Sequence, residues 1–309
     1  MKSLMFLFKK NRIMRNHSNN LLPVIGIAAI VIPLCCYLLI LFSLPDVLMQ
    51  KSFDRYMDKI GIEIPSVSCY KKYMNSLPGQ EGIDIGNIFL KSGSIVIATF
   101  KEEDNPRKGF KFETIGTAEI ADRLDKAAGW MAGTDELHIY PLRTFVDKDM
   151  PMKEVMSVLY RISPSRPRVA FVLRDRDTSD YIYFHYRIVD SASTSEAYKN
   201  LPRFKRVEVS MYRQPDSWLV LYDDWAECVT DLSKVFENML SSNKDNVLVV
   251  NTEGMIFEDY MSIVYEYARI VHKHRNDYSL KTYGKQYDAL DYSRLKEVHA
   301  LFPHNILLI

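Results

Sequence analysis

Residues Leu21–Leu44, LLPVIGIAAIVIPLCCYLLILFSL, form a run of 24 without a single charge. An α-helix rises about 1.5 Å per residue and the hydrocarbon core of a bilayer is about 30 Å thick, so a run of this length can span it. The residues ahead of it carry Lys2, Lys9, Lys10, Arg12 and Arg15 and no acid. Positively charged flanks stay in the cytoplasm, which places the N-terminus inside and Pro45–Ile309 outside. A cleaved signal peptide is the alternative, but it wants an apolar region of about 7–15 residues and a small-x-small cleavage site. Ser43-Leu44-Pro45-Asp46 is a poor one, so an uncleaved single-pass anchor is expected. No Asp, Glu or His lies between Leu21 and Leu44, which makes the span a tether rather than a proton path. Gly26, Ala28 and Ala29 are small enough to let another helix approach, and ordinary lipid-facing positions are the other reading.

The remainder is long enough for two domains, and the 19 tyrosines of the chain point to packed cores rather than disorder. A net charge of +1, with no basic patch interleaved with aromatics, argues against a nucleic-acid partner. Cys35 and Cys36 fall in the span. Cys69 and Cys228 lie beyond it, in an oxidising compartment if the topology holds; they could pair, or stay as buried thiols.

Along the chain, residues 1–20 read as a cytoplasmic basic tail and 45–82 as a membrane-proximal linker. Ile88–Leu90 and Ile95–Phe100 flank Lys91-Ser92-Gly93-Ser94 as a hairpin, and Glu102–Gly109 is a loop. Ile120, Leu124, Ala127 and Met131 set one stripe of a helix over Thr117–Met131. A strand over Leu137–Val146, a helix over Pro151–Ile162 and a strand over Arg168–Leu173 follow. Tyr181–Val189 alternates as a strand does, and Asp190–Asn200, rich in Ser, Ala and Thr, is the expected domain boundary. The order then begins again. Strands are expected at Val207–Tyr212 and Trp218–Tyr222, then a helix capped by Asp223 or Asp224 and carrying Trp225, Val229, Leu232, Phe236 and Met239. A strand at Asn246–Asn251, a helix at Ile256–His274, a polar stretch at Asp277–Gln286, a helix at Asp291–Ala300 and a terminal strand at Asn305–Ile309 complete the pattern.

The two halves share residues as well as order. Met150–Tyr160, MPMKEVMSVLY, and Met255–Tyr265, MIFEDYMSIVY, coincide at an offset of 105 in Met150/Met255, Met156/Met261, Ser157/Ser262 and Tyr160/Tyr265. Identities off the apolar stripe point to an internal repeat. The expected fold class is α+β: one N-terminal transmembrane helix followed by two β-β-α-β-α-β units, at 83–178 and 203–309.

The basic tail, single span and repeated unit resemble the ExbD/TolR family, bitopic inner-membrane subunits of proton-driven energy transducers. Asn20-Leu21-Leu22-Pro23-Val24-Ile25-Gly26 is similar to the family's entry to its span, except that Gly26 stands where the family has its proton-carrying aspartate. Leu142–Tyr160 and Val249–Tyr265 resemble the strand-to-helix passage of the family's periplasmic domain. The resemblance implies a bacterial inner-membrane protein with periplasmic C-terminal domains. It implies as partners a polytopic ExbB/TolQ-like protein, other ExbD/TolR-like copies and components of the cell envelope. With glycine at position 26 it implies an accessory subunit that does not itself carry protons.

No nucleophile elbow, phosphate loop or dinucleotide fingerprint occurs, and no cofactor or metal is expected. His272 and His274 at i, i+2 point about 200° apart on a helix, the wrong geometry for a shared metal. Asp147-Lys148-Asp149 and Asp223-Asp224 read as turn and cap residues, and Arg174-Asp175-Arg176-Asp177 as a solvated strand exit. The functional expectation is a non-enzymatic accessory subunit of an energy-transducing or transport complex, or else a membrane-tethered periplasmic binding or scaffold module.

Overall fold

A computed structural model describes residues 49–69, 86–100, 110–127, 141–163, 168–189, 191–211, 217–222, 225–243 and 245–309. The expected span Leu21–Leu44, with Gly26, Ala28 and Ala29, lies outside the described residues. Among the described residues no helix is long and apolar enough to cross a membrane. The chain divides into two units. The first is Met1–Tyr56 with Phe100–Gly109, of which only 49–56 and residue 100 are described. The second, Met57–Thr99 with Phe110–Ile309, holds both sheets and is the subject below.

A helix, α1, ends at residue 60. Its stop is Gly61, left-handed at φ 65°, with the Ile62 N–H bonded back to the Met57 carbonyl at 3.0 Å. The first half then runs β1 (Ser66–Val67), β2 (Asn87–Lys91), β3 (Ser94–Phe100), β4 (Phe110–Ile115), α2 (Ile120–Ala127), β5 (Leu142–Val146), α3 (Met152–Ile162), β6 (Arg168–Asp175) and β7 (Tyr181–Arg187). The second half follows α4 (Ser191–Asn200) with β8 (Arg206–Met211), β9 (Trp218–Leu221), β10 (Ala226–Val229), α5 (Leu232–Ser242), β11 (Val247–Val250), α6 (Phe257–Tyr283), α7 (Tyr292–Leu301) and β12 (Ile306–Leu308).

These strands form two mixed sheets. In the first, β4-β3-β2-β5-β6 lie side by side, with β1 and β7 added on β6. The second is ordered β10-β9-β8-β11-β12. In each, a hairpin supplies an antiparallel pair, β2/β3 or β8/β9, and helical crossovers then add two parallel strands, β5 and β6 or β11 and β12. Parallel pairs require such crossovers.

The α+β expectation is therefore corrected to mixed α/β, and neither half is a β-β-α-β-α-β unit. Each carries a third strand before its first helix, α4 is an addition, and β7 and α7, the strand expected at Tyr181–Val189 and the helix expected at Asp291–Ala300, lie outside the six-element unit. The third strands, FKFETI and AECV, are edges that alternate charged and apolar residues too weakly to stand out. The helix expected over Trp225–Met239 begins only at Leu232, capped by the Asp231 carboxylate on the Ser233 N–H. Asp190–Asn200 is not a loose linker, since Ser191–Asn200 is helical. Asp277–Tyr283 continues α6, which runs 27 residues.

One apolar core serves both halves. It takes Ile88, Leu90, Leu142, Val146, Phe171 and Leu173 from the first sheet, Val207, Val209, Val220, Leu248 and Val250 from the second, and the inner stripes of α3, α5 and α6. α3 packs on α6 at the centre. The first sheet is buried on its other face too: Phe89, Phe145 and Val172 are inaccessible, and Phe89 stacks on Phe145 at 4.4 Å. The matching face of the second sheet is more open. Leu219 and Leu221 are half-buried there and Cys228 is exposed.

Candidate functional site

In open sheets with parallel strands, ligands bind beyond the carboxyl ends of the strands, where neighbouring connections leave in opposite directions. In the first sheet that point lies between β2 and β5, and Lys91, Asp147 and Lys148 stand at its rim. The chain's own segment 60–67 occupies it. The Lys91 ammonium donates to the carbonyls of Ile60 at 2.7 Å and Gly61 at 2.8 Å. The Lys148 N–H donates to the Glu63 carbonyl at 2.6 Å, and its ammonium pairs with the Glu63 carboxylate at 2.6 Å. That hydrogen bond and charge hold Glu63 below the usual carboxylate range and Lys148 above the usual lysine range. Further along, the Arg174 and Arg176 N–H groups donate to the carbonyls of Pro65 and Val67, each at 2.9 Å. Ile62, Ile64 and Val67 are buried, so the segment is seated by apolar contacts as well as by hydrogen bonds. Gly61 has a reason to be glycine beyond its positive φ: a Cβ there would sit 3.1 Å from the Lys91 ammonium.

The acids at the rim are turn-formers. Asp147 accepts from the Asp149 N–H at 3.4 Å. Asp175 accepts from the Asp177 N–H at 3.2 Å and the Thr178 hydroxyl at 3.1 Å. Ser92 donates to Glu154 at 3.0 Å. At the same rim of the second sheet Asn251 accepts from the Glu253 N–H at 3.0 Å, the counterpart of Asp147. The Thr252 N–H and hydroxyl both donate to the Ile309 carbonyl oxygen at 2.9 Å.

The two rims meet. The Met152 N–H donates to the Met255 carbonyl at 2.8 Å, and the Phe257 N–H donates to the Met150 carbonyl at 2.9 Å. Pro151 and Ile256 form an antiparallel bridge between them. Each residue of this cross-pair faces the position 105 away from its neighbour's, so the junction is symmetric about a local two-fold. The first N–H groups of α3 and α6, which a helix leaves without an internal acceptor, each donate to a carbonyl in the other half's strand-to-helix turn.

A second charged cluster lies where α6, α7 and the 3-10 turn Tyr287–Ala289 pack together. Arg275, buried at 5% exposure, donates through Nε and Nη2 to the Phe302 carbonyl at 2.9 and 2.5 Å. The composition did not reveal it. Its signal is spacing: Val271, Arg275 and Ser279 continue the buried stripe of α6 at i, i+4, i+8.

The residues singled out in the sequence are scattered. No disulfide joins Cys69 to Cys228. Cys69 packs against the shared core just after β1, whereas Cys228 is exposed on the outer strand β10 of the other sheet. His272 faces Asp288 at 3.5 Å and His274 faces Glu237 at 2.9 Å, in keeping with their divergent directions. Among the described residues no three His, Cys, Asp or Glu converge on a metal position. Asp223 and Asp224 lie outside the described residues. No protein-family model matches the chain, and no curated protein or solved structure is significantly similar to it.

Proposed function

We propose that this chain is a protein-binding scaffold module rather than an enzyme or a proton-carrying subunit. The observation that supports it is the occupied rim of the first sheet, where segment 60–67 sits in the place a small ligand would take. The surface offers protein-sized contacts instead. Phe204 is 68% exposed and Trp225 51% exposed. Phe204 precedes β8 and Trp225 precedes β10, and both strands run antiparallel to β9, so the two aromatics stand at one end of the second sheet. Exposed aromatics are the residues that most often anchor protein interfaces. For location, the uncharged run Leu21–Leu44 and the basic tail support a membrane tether with the described residues outside the cytoplasm.

In-cell crosslinking with the full chain tests the role. A defined protein should be captured near Trp225 and lost in the Phe204→Ser/Trp225→Ser variant without a fall in Tm. Capture that survives this variant, or none at all, rejects the reading. Alkaline phosphatase fused after residue 200 should be active; an inactive fusion, with a cytoplasmic reporter active at the same point, rejects the location.

A further inference from the structure

We propose that segment Ile62–Val67 is a removable strand that holds the carboxyl ends of β5 and β6 apart, and that when it withdraws those ends pair with each other as β11 and β12 do in the second half. β5 and β6 share the register pairs Leu142↔Val169, Arg143↔Ala170 and Thr144↔Phe171. The ladder stops there, although β5 runs on to Val146 and β6 to Asp175. β7 covers one edge of β6 from Arg168 to Arg174, and the Asp175 N–H continues along that edge to the Asp180 carbonyl at 2.8 Å. Neighbouring N–H groups of a strand point to opposite edges, so those of Arg174 and Arg176 face the edge that β5 occupies lower down. Both donate to the segment, on the Pro65 and Val67 carbonyls. From the other side the Lys148 N–H, just past β5, donates to the Glu63 carbonyl. The segment is therefore inserted between the two strands, with Ser66 and Val67 in register with Arg174 and Asp175.

The second half shows the corresponding strands without an insert. β11 and β12 pair through Leu248↔Ile306, Val249↔Leu307 and Val250↔Leu308. Beyond these pairs the Ile309 N–H donates to the Val250 carbonyl at 3.0 Å, and the Thr252 N–H donates to the Ile309 carbonyl at 2.9 Å. β5 ends at Val146 where β11 ends at Val250, so Lys148 corresponds to Thr252. Continuing the first ladder past Thr144↔Phe171 sets Val146 opposite Leu173, and Arg174 then stands where Ile309 stands. Its N–H is placed to take the Val146 carbonyl and its carbonyl to take the Lys148 N–H. The amides of Lys148 and Arg174 thus each have a second acceptor when the segment leaves.

Other contacts are given up, which makes the inserted arrangement the resting one. The Lys91 ammonium loses the Ile60 and Gly61 carbonyls, Arg176 Nη2 loses the Ser66 carbonyl at 3.2 Å, and the Tyr265 hydroxyl loses the Ser68 carbonyl at 3.3 Å. The Lys148–Glu63 ion pair is largely exposed and holds little. The main hold is apolar: Ile62, Ile64, Pro65 and Val67 are all buried. The Arg176 N–H alone of the three has no replacement, because the Lys148 carbonyl next in register already accepts from the Glu258 N–H at 2.9 Å. In sequence, a pull along the chain from Leu21–Leu44 reaches Ile60–Val67 before any other strand of the sheet. Withdrawal closes the split rather than opening a pocket.

Hydrogen exchange on the full chain in detergent, read by mass spectrometry with fragmentation to single residues, tests this. In the Ile62→Ser/Ile64→Ser/Val67→Ser variant the Arg176 amide should lose about ten-fold or more of its protection, while those of Lys148 and Arg174 hold within about three-fold. Loss at all three amides shows that β5 and β6 stay apart and overturns the proposal. Full protection at Arg176 shows that the segment stays inserted without its apolar seats and overturns it as well. Should the variant fail to fold, the wild-type chain in sub-denaturing urea decides. Exchange of Arg176 through a smaller opening than that of Lys148 and Arg174 upholds the removable strand, and one opening common to all three overturns it.

Discussion

Tyr260 is fully buried in α6, and its hydroxyl makes no hydrogen bond among the described residues. Desolvation, then the hydroxyls of Tyr186 and Tyr160, raise its pKa well above 10.0, so it stays a neutral phenol wherever the protein is handled. A buried hydroxyl without a partner costs about 1–3 kcal/mol. Tyr260→Phe removes that cost and leaves a gap the size of one oxygen, which returns part of the gain as lost packing. The net expectation is stabilisation by about 1 kcal/mol, or a rise in Tm of about 2–4 °C for a cooperative unit of this size. Tyr265, five residues on, is the internal control. Its hydroxyl donates to the Ser68 carbonyl at 3.3 Å, so Tyr265→Phe should destabilise by about 0.5–1.5 kcal/mol. Urea and thermal unfolding of both variants in the same detergent, read by circular dichroism with unchanged m-values, gives the comparison. If Tyr260→Phe loses as much stability as Tyr265→Phe, the Tyr260 hydroxyl is satisfied and the reasoning fails.

The shared core makes a second expectation. Phe257 is inaccessible, meets Phe171 of the first sheet edge-on at 5.1 Å, and joins the symmetric junction, so Phe257→Ala should cost about 3–5 kcal/mol and lower one transition common to both halves. Two separate transitions, only one of them moved, would deny the common core. The cysteines make a third: in the oxidised, folded protein a maleimide should label exposed Cys228 fast and partly buried Cys69 slowly, with no intramolecular crosslink in the mass. A loss of two hydrogens that links their peptides would overturn the placement of both.

Strong periodicity was legible and weak edges were not. The apolar runs that became β2, β3, β6, β8 and β11, and the stripes of α3 and α6, stand out because both sheets bury them completely on at least one face. β4 and β10 escaped because an edge strand needs to bury only half of its side chains and carries charge: Glu113 meets Arg123 of α2 at 3.1 Å, and Glu227, opposite Val220, accepts from Tyr222 at 3.1 Å. Leaving them out turned three neighbouring strands into a hairpin in each half. The end of α6 was hidden for a different reason. Past His274 its partners are Tyr287, Leu290 and Val298 in a satellite cluster, so its sequence lacks the broad apolar face that the main core demands. Arg275 and the seating of segment 60–67 depend on chain crossings between distant residues, and no local pattern encodes those.

The repeat at 105 residues has a physical meaning that two separate domains would not give it. The strands β5 and β11 end at Val146 and Val250, 104 apart, and their turns open alike, with the side chain of Asp147 or Asn251 accepting from the N–H two residues on. The helices α3 and α6 start at Met152 and Phe257, 105 apart. The second turn is thus one residue longer, and Gly254, at φ 72°, absorbs the excess in a conformation other residues rarely adopt. The inserted residue restores register where the Met150 and Met255 carbonyls must each receive the other half's first helical N–H. Burial follows the same offset: Met156 and Met261 are both inside, and Ser157 and Ser262 are both outside. The matching residues are alike because they meet the same demand from opposite sides of one interface. A change at Met152 or Phe257 therefore acts on both sheets at once.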